Sequence, residues 1–450
     1  MATGLSVLVL SVAGIGHALV TSLDTGIGRV DPFKDMKNRP GSGGGMNVLL
    51  VGTDGRDKIT EQERQDYLLG GAPCNCTDTI MIVHLSADRR RVSVVSLPRD
   101  SYAVAPAHID QTTREHHKAH PIKLNSAYAE GGPNLTVRTV ERATKLKIDH
   151  YLEVDFTSFI KTVDAVDGVD ICTATPLKDS HTGLDLPAGT HHLSGGQALQ
   201  YVRSRYADGG SDLNRVRRQQ RFLAALIDKA TSSGVLLNPV KFRAVSKTVL
   251  SSVRADERFG TDEMLALGRA MRGFSPSSSE FTTVPTSEGR PIKGAGATLA
   301  WDPEKSAKLF KTLREDRPLT PLKVKSTVVP VEVAPEQIRV QVDNGTTTPN
   351  LGKRVDAALR ATGFRTTNSP GNADRRDIRR TIVAYDPRWD RSAKSLAKAL
   401  PGSELREVKG QGAVLRVIAG ADFEKVTRVR AKEAKRGEFD ASTGDQVVCN

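Results

Sequence analysis

Asp54, Asp78 and Arg99 each stand at the end of a short apolar run. Asp54 follows residues 46–52 (MNVLLVG) in G-T-D-G-R. Asp78 precedes 79–85 (TIMIVHL) in C-T-D-T, and Arg99 and Asp100 follow 91–97 (RVSVVSL) in L-P-R-D-S. Apolar runs of this length, closed by Gly, Asp or Pro, read as buried strands. With the three strands adjacent and the middle one antiparallel, Asp54, Asp78 and Arg99 meet at one sheet edge. Paired carboxylates are the hard oxygen ligands that Mg²⁺ takes beside substrate phosphates. Singly, each Asp reads equally well as a turn residue; the convergence with an arginine is what points to a phosphate site.

A second cluster comprises Arg203 and Arg205 in Y-V-R-S-R, then Arg215, Arg217, Arg218, Gln219, Gln220 and Arg221, with six arginines in 19 residues. Guanidinium forks bind phosphate oxygens two at a time. The competing reading is a solvated basic face. Lys123, in K-L-N-S-A-Y, adds a single cation. His108, His116, His117 and His120 crowd one stretch, and His116 and His120 have the i, i+4 spacing that suits a metal on a helix. Polar neighbours and Pro121 make the stretch an exposed insertion rather than a metal site.

The elements that must position these residues follow from periodicity. The strands 79–85 and 91–97 form a hairpin around 86–90. Residues 134–146 have helical spacing, and 151–154, 155–166 and 169–173 read as strand, helix, strand. Ser194 caps a helix over 194–205 (SGGQALQYVRSR). A long helix covers 212–232, with further helices at 239–253, 261–271 and 303–313, and 280–284 is a strand. Residues 58–76 are a polar surface insertion. After four prolines between 318 and 335, the order 338–342 strand, 351–362 helix, 381–385 strand, 391–400 helix, 413–418 strand describes a small open sheet with helices on one face. The fold class is α/β: a mixed central sheet flanked by helices, a second small α/β domain, and an N-terminal membrane helix.

The domain boundaries expected are 1–23 membrane helix or signal anchor, 24–45 flexible spacer, 46–317 catalytic domain, 318–335 linker, 336–425 second domain and 426–450 disordered tail. Residues 4–23 form an uncharged run of 20, the length of one membrane span; a cleaved signal peptide and a buried helix are the competing readings. Residues 1–3 lack the Lys or Arg of a cytoplasmic flank, so the natural start is expected upstream. The localisation expected is the cell membrane, single-pass, with the domains outside the cytoplasm.

Over 450 residues the net charge is +13, and +7 of it falls after residue 324. The surplus favours a polyanionic partner. The hydrophobic fraction of 38% excludes wholesale disorder, and four cysteines exclude a disulfide-dense scaffold. Cys74, Cys76, Cys172 and Cys449 match no zinc pattern; in an oxidising compartment Cys172 would pair with Cys74 or Cys76. No helix-turn-helix, zinc finger or RNA-stacking motif marks a nucleic-acid partner.

G-T-D-G-R, T-D-T-I-M, S-L-P-R-D-S, K-L-N-S-A-Y and A-L-Q-Y-V-R-S-R…R-R-Q-Q-R, in that order, resemble the LytR-CpsA-Psr family over residues 46–232. The late domain, with V-D-N-G-T and A-K-S-L-A, resembles the LytR C-terminal domain. The resemblance implies an extracytoplasmic phosphotransferase. It would move a glycopolymer with its proximal phosphate from a polyprenyl-pyrophosphate carrier onto peptidoglycan. Asp54 and Asp78 would hold Mg²⁺. Asp78, Arg99, Arg203 and Arg205 would be catalytic. Arg99, Lys123, Arg203, Arg205, Arg215 and Gln219 would bind the pyrophosphate, with the lipid tail in a tunnel between sheet and helices. Where relatives commonly carry Arg two residues before the motif Asp, this chain has Cys76. Either Arg56 replaces that contact or Cys76 is tied to Cys172, bracing the loop. The alternatives are a polyprenyl-pyrophosphate phosphatase, with water as acceptor, and a non-catalytic protein that binds anionic wall polymers.

Overall fold

The computed structural model describes residues 28–56, 58–70, 76–210, 212–232, 245, 248, 252–259, 276–293, 296–320, 329–431 and 439–444. The apolar run 4–23 lies outside these, as do the expected helix 261–271 and most of 239–253. Among the described residues no helix is long and apolar enough to cross a membrane.

The first domain is built on one mixed sheet. In chain order its strands are β1 (Gly28–Val30), β2 (Met46–Thr53), β3 (Thr77–Leu85), β4 (Val92–Ser96), β5 (His150–Val154), β6 (Arg254–Asp256), β7 (Ser279–Thr283) and β8 (Ser442–Thr443), and in space they run β1-β6-β5-β2-β3-β4-β7-β8. β2 is antiparallel to β3 and parallel to β5; β3 is antiparallel to β4; β4 is parallel to β7. The central strands are apolar on both faces because both faces are covered. The described helices are α1 (Glu61–Asp66), α2 (Ser126–Thr144), α3 (Phe156–Ala165), α4 (Gly195–Arg203), α5 (Asp212–Ser232) and α6 (Pro303–Arg314), then α7 (Leu351–Ala361) and α8 (Asp390–Ala399) in the second domain. On one face of the sheet, Leu49, Val51, Ile80 and Ile82 pack with Leu135 and Val140 of α2 and Phe310 of α6. On the other, Met81, Val94 and Phe281 meet Ala224 of α5. A third apolar cluster joins α3, α4 and α5 to the hairpin of Val169–Thr173 with Gly189–Leu193.

The second domain carries a five-strand path: Arg365–Thr366, Arg339–Asn344, Val414–Ala419, Ile382–Tyr385, Glu404–Glu407. Val340, Val342, Leu415 and Val417 share one apolar cluster with Val355 and Leu359 of α7 and Leu396 of α8. Both helices therefore cover the same face, as the strand and helix order implies.

Several expected boundaries move. The spacer 24–45 contributes structure: β1 pairs with β6, Phe33 is buried, and Arg39 bonds Glu141 at 2.7 Å. Its Gly-rich end is pinned too, with Gly44 N–H donating to the Arg314 carbonyl. The insertion 58–76 contains α1, whose start is a reciprocal Thr60–Glu63 cap, and buries Leu69. Linker residue Leu319 is buried, its N–H bound by Glu280. The tail 426–450 contains two strands. Val429–Ala431 pairs with Val329–Val331, and Ser442–Thr443 extends the main sheet while Phe439 and Ala441 enter its core. A few apolar residues anchor each of these polar stretches, which composition averaged over a window hides.

Candidate phosphate site at the head of an apolar cavity

The strand arrangement puts the predicted residues together. β2 runs out to Asp54, antiparallel β3 starts at Thr77 beside Thr53, and β4 leads into Arg99. Arg99 donates to Asp78 Oδ1 at 2.5 Å. Arg205 stands 3.8 Å from the same oxygen, and Arg215 Nη2 lies 3.5 Å from the Asp78 carbonyl. Asp54, 6% exposed, is gripped by both arms of Arg56 at 2.7 Å, and Arg56 also donates to the carbonyls of Leu69 and Gly70. Arg203 ends α4 with its guanidinium 5.2 Å from the centre of the Phe156 ring. Gln219 donates to Thr79 Oγ1 at 3.0 Å.

These groups head a cavity of about 620 Å³. Its polar lining includes Asp54, Arg56, Asp78, Arg203, Arg205, Arg215 and Gln219. Its apolar lining includes Leu50 and Met81 of the sheet, Phe159 and Val163 of α3, Leu199 of α4 and Phe222 and Leu226 of α5. Arg99 and Lys123 do not line it. Arg99 adjoins it through Asp78, and Lys123 is tied to Asp100 at 3.0 Å.

The charges of this polar lining are coupled. Burial works to raise the Asp78 pKa, but Arg215, Arg99 and Arg205 outweigh it and hold the carboxyl below its usual range. Burial lowers Arg203, with Arg56 repelling it, and pushes Arg215 down to about 10, so Arg215 keeps its proton at neutral pH. Arg215 is 3% exposed, and its Nε and that of Arg99 have no hydrogen-bond partner. Buried guanidiniums with unspent donors suit an anion.

One residue here lies outside every motif, and another lies within R-R-Q-Q-R but is not on a solvated face. Asp179 accepts from Ser204 Oγ and from the N–H groups of His181, Arg205 and Tyr206 at 2.7–3.0 Å. Buried in the fold, it fixes the turn that presents Arg205. Arg218, read as part of a basic face, is fully buried, bonding Asp208 and the Ser204 carbonyl. The spacing of α5 discloses it: Arg218 lies on the stripe of Arg215 and Phe222, i+3 and i+4 apart.

Asp54 and Asp78 fit a Mg²⁺ ion as donors. Both line the cavity, and each carboxylate keeps lone pairs beyond its arginine contact. No described cysteine is a free thiol; Cys76 and Cys172 are disulfide sulfurs. The i, i+4 spacing of His116 and His120 is not realised on a helix, and the expected exposed insertion is buried at one point. His116 and His120 lie on separate short strands, and His108 is buried rather than exposed.

Residues 20–315 match the LytR_cpsA_psr family, and 337–423 match the domain described as LytR cell envelope-related transcriptional attenuator. The probable cell wall biosynthesis protein LcpB of Corynebacterium glutamicum is 35% identical over 295 residues, 65% of this chain and 66% of that one. The polyisoprenyl-teichoic acid–peptidoglycan teichoic acid transferase TagT of Bacillus subtilis is 33% identical over 208 residues, 45% of this chain and 55% of that one. The crystal structure of B. subtilis TagV superposes with a TM-score of 0.47 at 25% identity, covering 63% of this chain and 100% of that one.

Proposed function

The chain belongs to the LytR-CpsA-Psr family, and from that premise we propose that it is an extracytoplasmic transferase. It takes a glycopolymer with its proximal phosphate from a polyprenyl-pyrophosphate carrier and places it on peptidoglycan. The observation that carries the reading is the cavity's polarity: an arginine-rich polar lining beside an aromatic and aliphatic one. A lipid pyrophosphate has that same division. The volume, about 620 Å³, lies within the range of ligand pockets, roughly 300–1,000 Å³.

In this reading the prenyl chain lies against Phe159, Phe222 and Leu226. Arg203, Arg205 and Arg215 take the pyrophosphate oxygens, with Gln219 as a neutral donor. Arg99 holds Asp78, and Lys123 orients Asp100 beside it. An acceptor hydroxyl forms a bond to the glycan-side phosphorus, and the bridging P–O bond breaks to leave polyprenyl monophosphate. The hydroxyl proton goes to a nearby base or to water. Asp78, kept ionised by three guanidiniums, is a poor proton acceptor at neutral pH. Its part is charge and position, as phosphoryl transfer largely requires. Mg²⁺, held by Asp54 and Asp78, would neutralise phosphate charge and polarise the phosphorus.

The test uses the full chain with a polyprenyl-pyrophosphate-linked glycan, with and without Mg²⁺ and peptidoglycan. Metal-dependent transfer that falls by a factor of about 10²–10³ in Asp78→Ala and Arg99→Ala is expected, the size of losing one preorganised charge contact. Inorganic phosphate release without glycan transfer would make the protein a phosphatase. Wild-type activity in both variants would remove the site assignment.

A further inference from the structure

Between Tyr102–Ala105 and its partner strand His120–Lys123 the chain makes a small second hairpin, His108–Ile109 against His116–His117. Three imidazoles gather there. The ring centres of His108, His117 and His120 are 5.3–5.6 Å apart. Glu130, from the first part of α2, reaches the same point. Its Oε2 lies 3.3 Å from His108 Nε2 and 3.1 Å from His120 Nε2.

The protons make this arrangement informative. His108 Nδ1 lies 2.9 Å from the Pro106 carbonyl, and His120 Nδ1 lies 2.9 Å from the Lys118 carbonyl. A peptide carbonyl only accepts, so both Nδ1 atoms carry hydrogen and donate. In the neutral rings both Nε2 lone pairs then point at one carboxylate oxygen. Lone pairs facing a carboxylate repel unless a cation lies between them. The His108 side chain is 4% exposed, and its Nε2 lies beside Glu130 without the alignment of a hydrogen bond. Burying such a group with no positive charge at hand is costly.

The geometry suits a metal. One ligand atom each from His108, His120 and Glu130 lies within 4.8 Å of the others. A tetrahedron with arms of about 2.0 Å has edges of about 3.3 Å, close to both nitrogen–oxygen distances. Metal-bound histidines usually donate the other ring N–H to a carbonyl or carboxylate, which fixes the tautomer. Two imidazoles with one carboxylate favour a borderline ion such as Zn²⁺ over Mg²⁺ or Ca²⁺, which prefer oxygen alone. His117, whose ring centre lies 5.4 Å from that of His108 and 5.3 Å from that of His120, is at hand for a fourth position.

We propose that His108, His120 and Glu130 bind a Zn²⁺-class ion that clips this hairpin to α2, apart from the phosphate site. The clip also fixes the strand that carries Lys123, three residues from His120 and about 10 Å along it. The proposal does not depend on the transferase reading. The test takes the metal-free full chain, without a polyhistidine tag, and titrates it with Zn²⁺ and Co²⁺. One equivalent binds, Co²⁺ gives the intense visible absorption of a tetrahedral site, and Zn²⁺ raises the melting temperature. His120→Ala and the conservative Glu130→Gln each weaken binding at least tenfold and cancel the thermal shift. If His120→Ala fails to fold, Glu130→Gln, which keeps the shape of the site, decides alone. Binding unchanged in the variants, or no saturable binding, overturns the proposal; in the latter case two imidazolium protons neutralise Glu130 instead.

Discussion

Asp179 binds four donors of the turns at 181 and 204–206 and is 2% exposed. Burial alone would raise its pKa, but the N–H of Tyr206, the Ser204 hydroxyl and the N–H of Arg205 and His181 hold it far below the usual range. A depressed folded pKa adds stability that is complete above the unfolded value, about 3.9, and is lost as pH falls toward the folded value. Asp179→Asn is therefore expected to cost about 1–3 kcal/mol at neutral pH, the range for weakened buried charge-assisted bonds. The gap to wild type should narrow below about pH 4. Urea titrations of both proteins at neutral and acid pH measure it, and a gap constant with pH would refute the ionic account. Asp54, Asp78 and Arg99 were legible because strand ends in sequence become neighbours in a sheet. Asp179 was not: its partner Arg205 is 26 residues away, and L-K-D-S has no spacing that announces the contact.

Helix α2 was legible in its second half alone. Helical spacing predicted a start at 134; the element begins at Ser126 and is broken at Gly131 and Gly132 before Pro133. Gly132 has φ +60° and ψ −154°, a conformation open essentially to glycine. Gln111 Nε2 would stand 2.8 Å from any Cβ there. Leu135, Val137 and Val140 after the break pack on the sheet, whereas the half before it bonds Glu153 of β5 through Tyr128 and meets His108 and His120 through Glu130. Gly132→Ala is expected to lower stability by about 1–3 kcal/mol, read from the urea midpoint. A change below a few tenths would mean that the break relaxes at little cost. The small sheets show the same limit: periodicity identified 169–173 as a strand, yet its partner is 189–193 and not the main sheet, because alternation gives a strand its faces but not its neighbour.

The two domains are joined by more than a linker. After the second domain, residues 439–444 return to the first, where Thr443 pairs with Glu280 and Thr282 Oγ1 donates to the Phe439 carbonyl at 2.5 Å. Phe439 and Ala441 lie in the same apolar cluster as Leu49 and Phe310. The unit 46–317 drawn from sequence therefore lacks β1, Phe33 and β8, all parts of its own sheet or core. The surrounding polarity of E-A-K-R-G-E-F-D-A-S-T-G hid this return, since one phenylalanine and one alanine carry it. Ending the chain after Ala431 removes the buried Phe439 ring, a change of about 3–5 kcal/mol by analogy with large-to-small core substitutions. It also leaves β7 as an open edge, a template for association. The melting transition of the first domain should fall by roughly 6–20 °C at 2–4 °C per kcal/mol. The second-domain transition, whose cluster contains neither residue, should hold its position. Calorimetry of the truncated and full chains separates the two. Equal melting of the first domain in both would show that the returning strand is dispensable, and a loss confined to the second domain would place its contribution there.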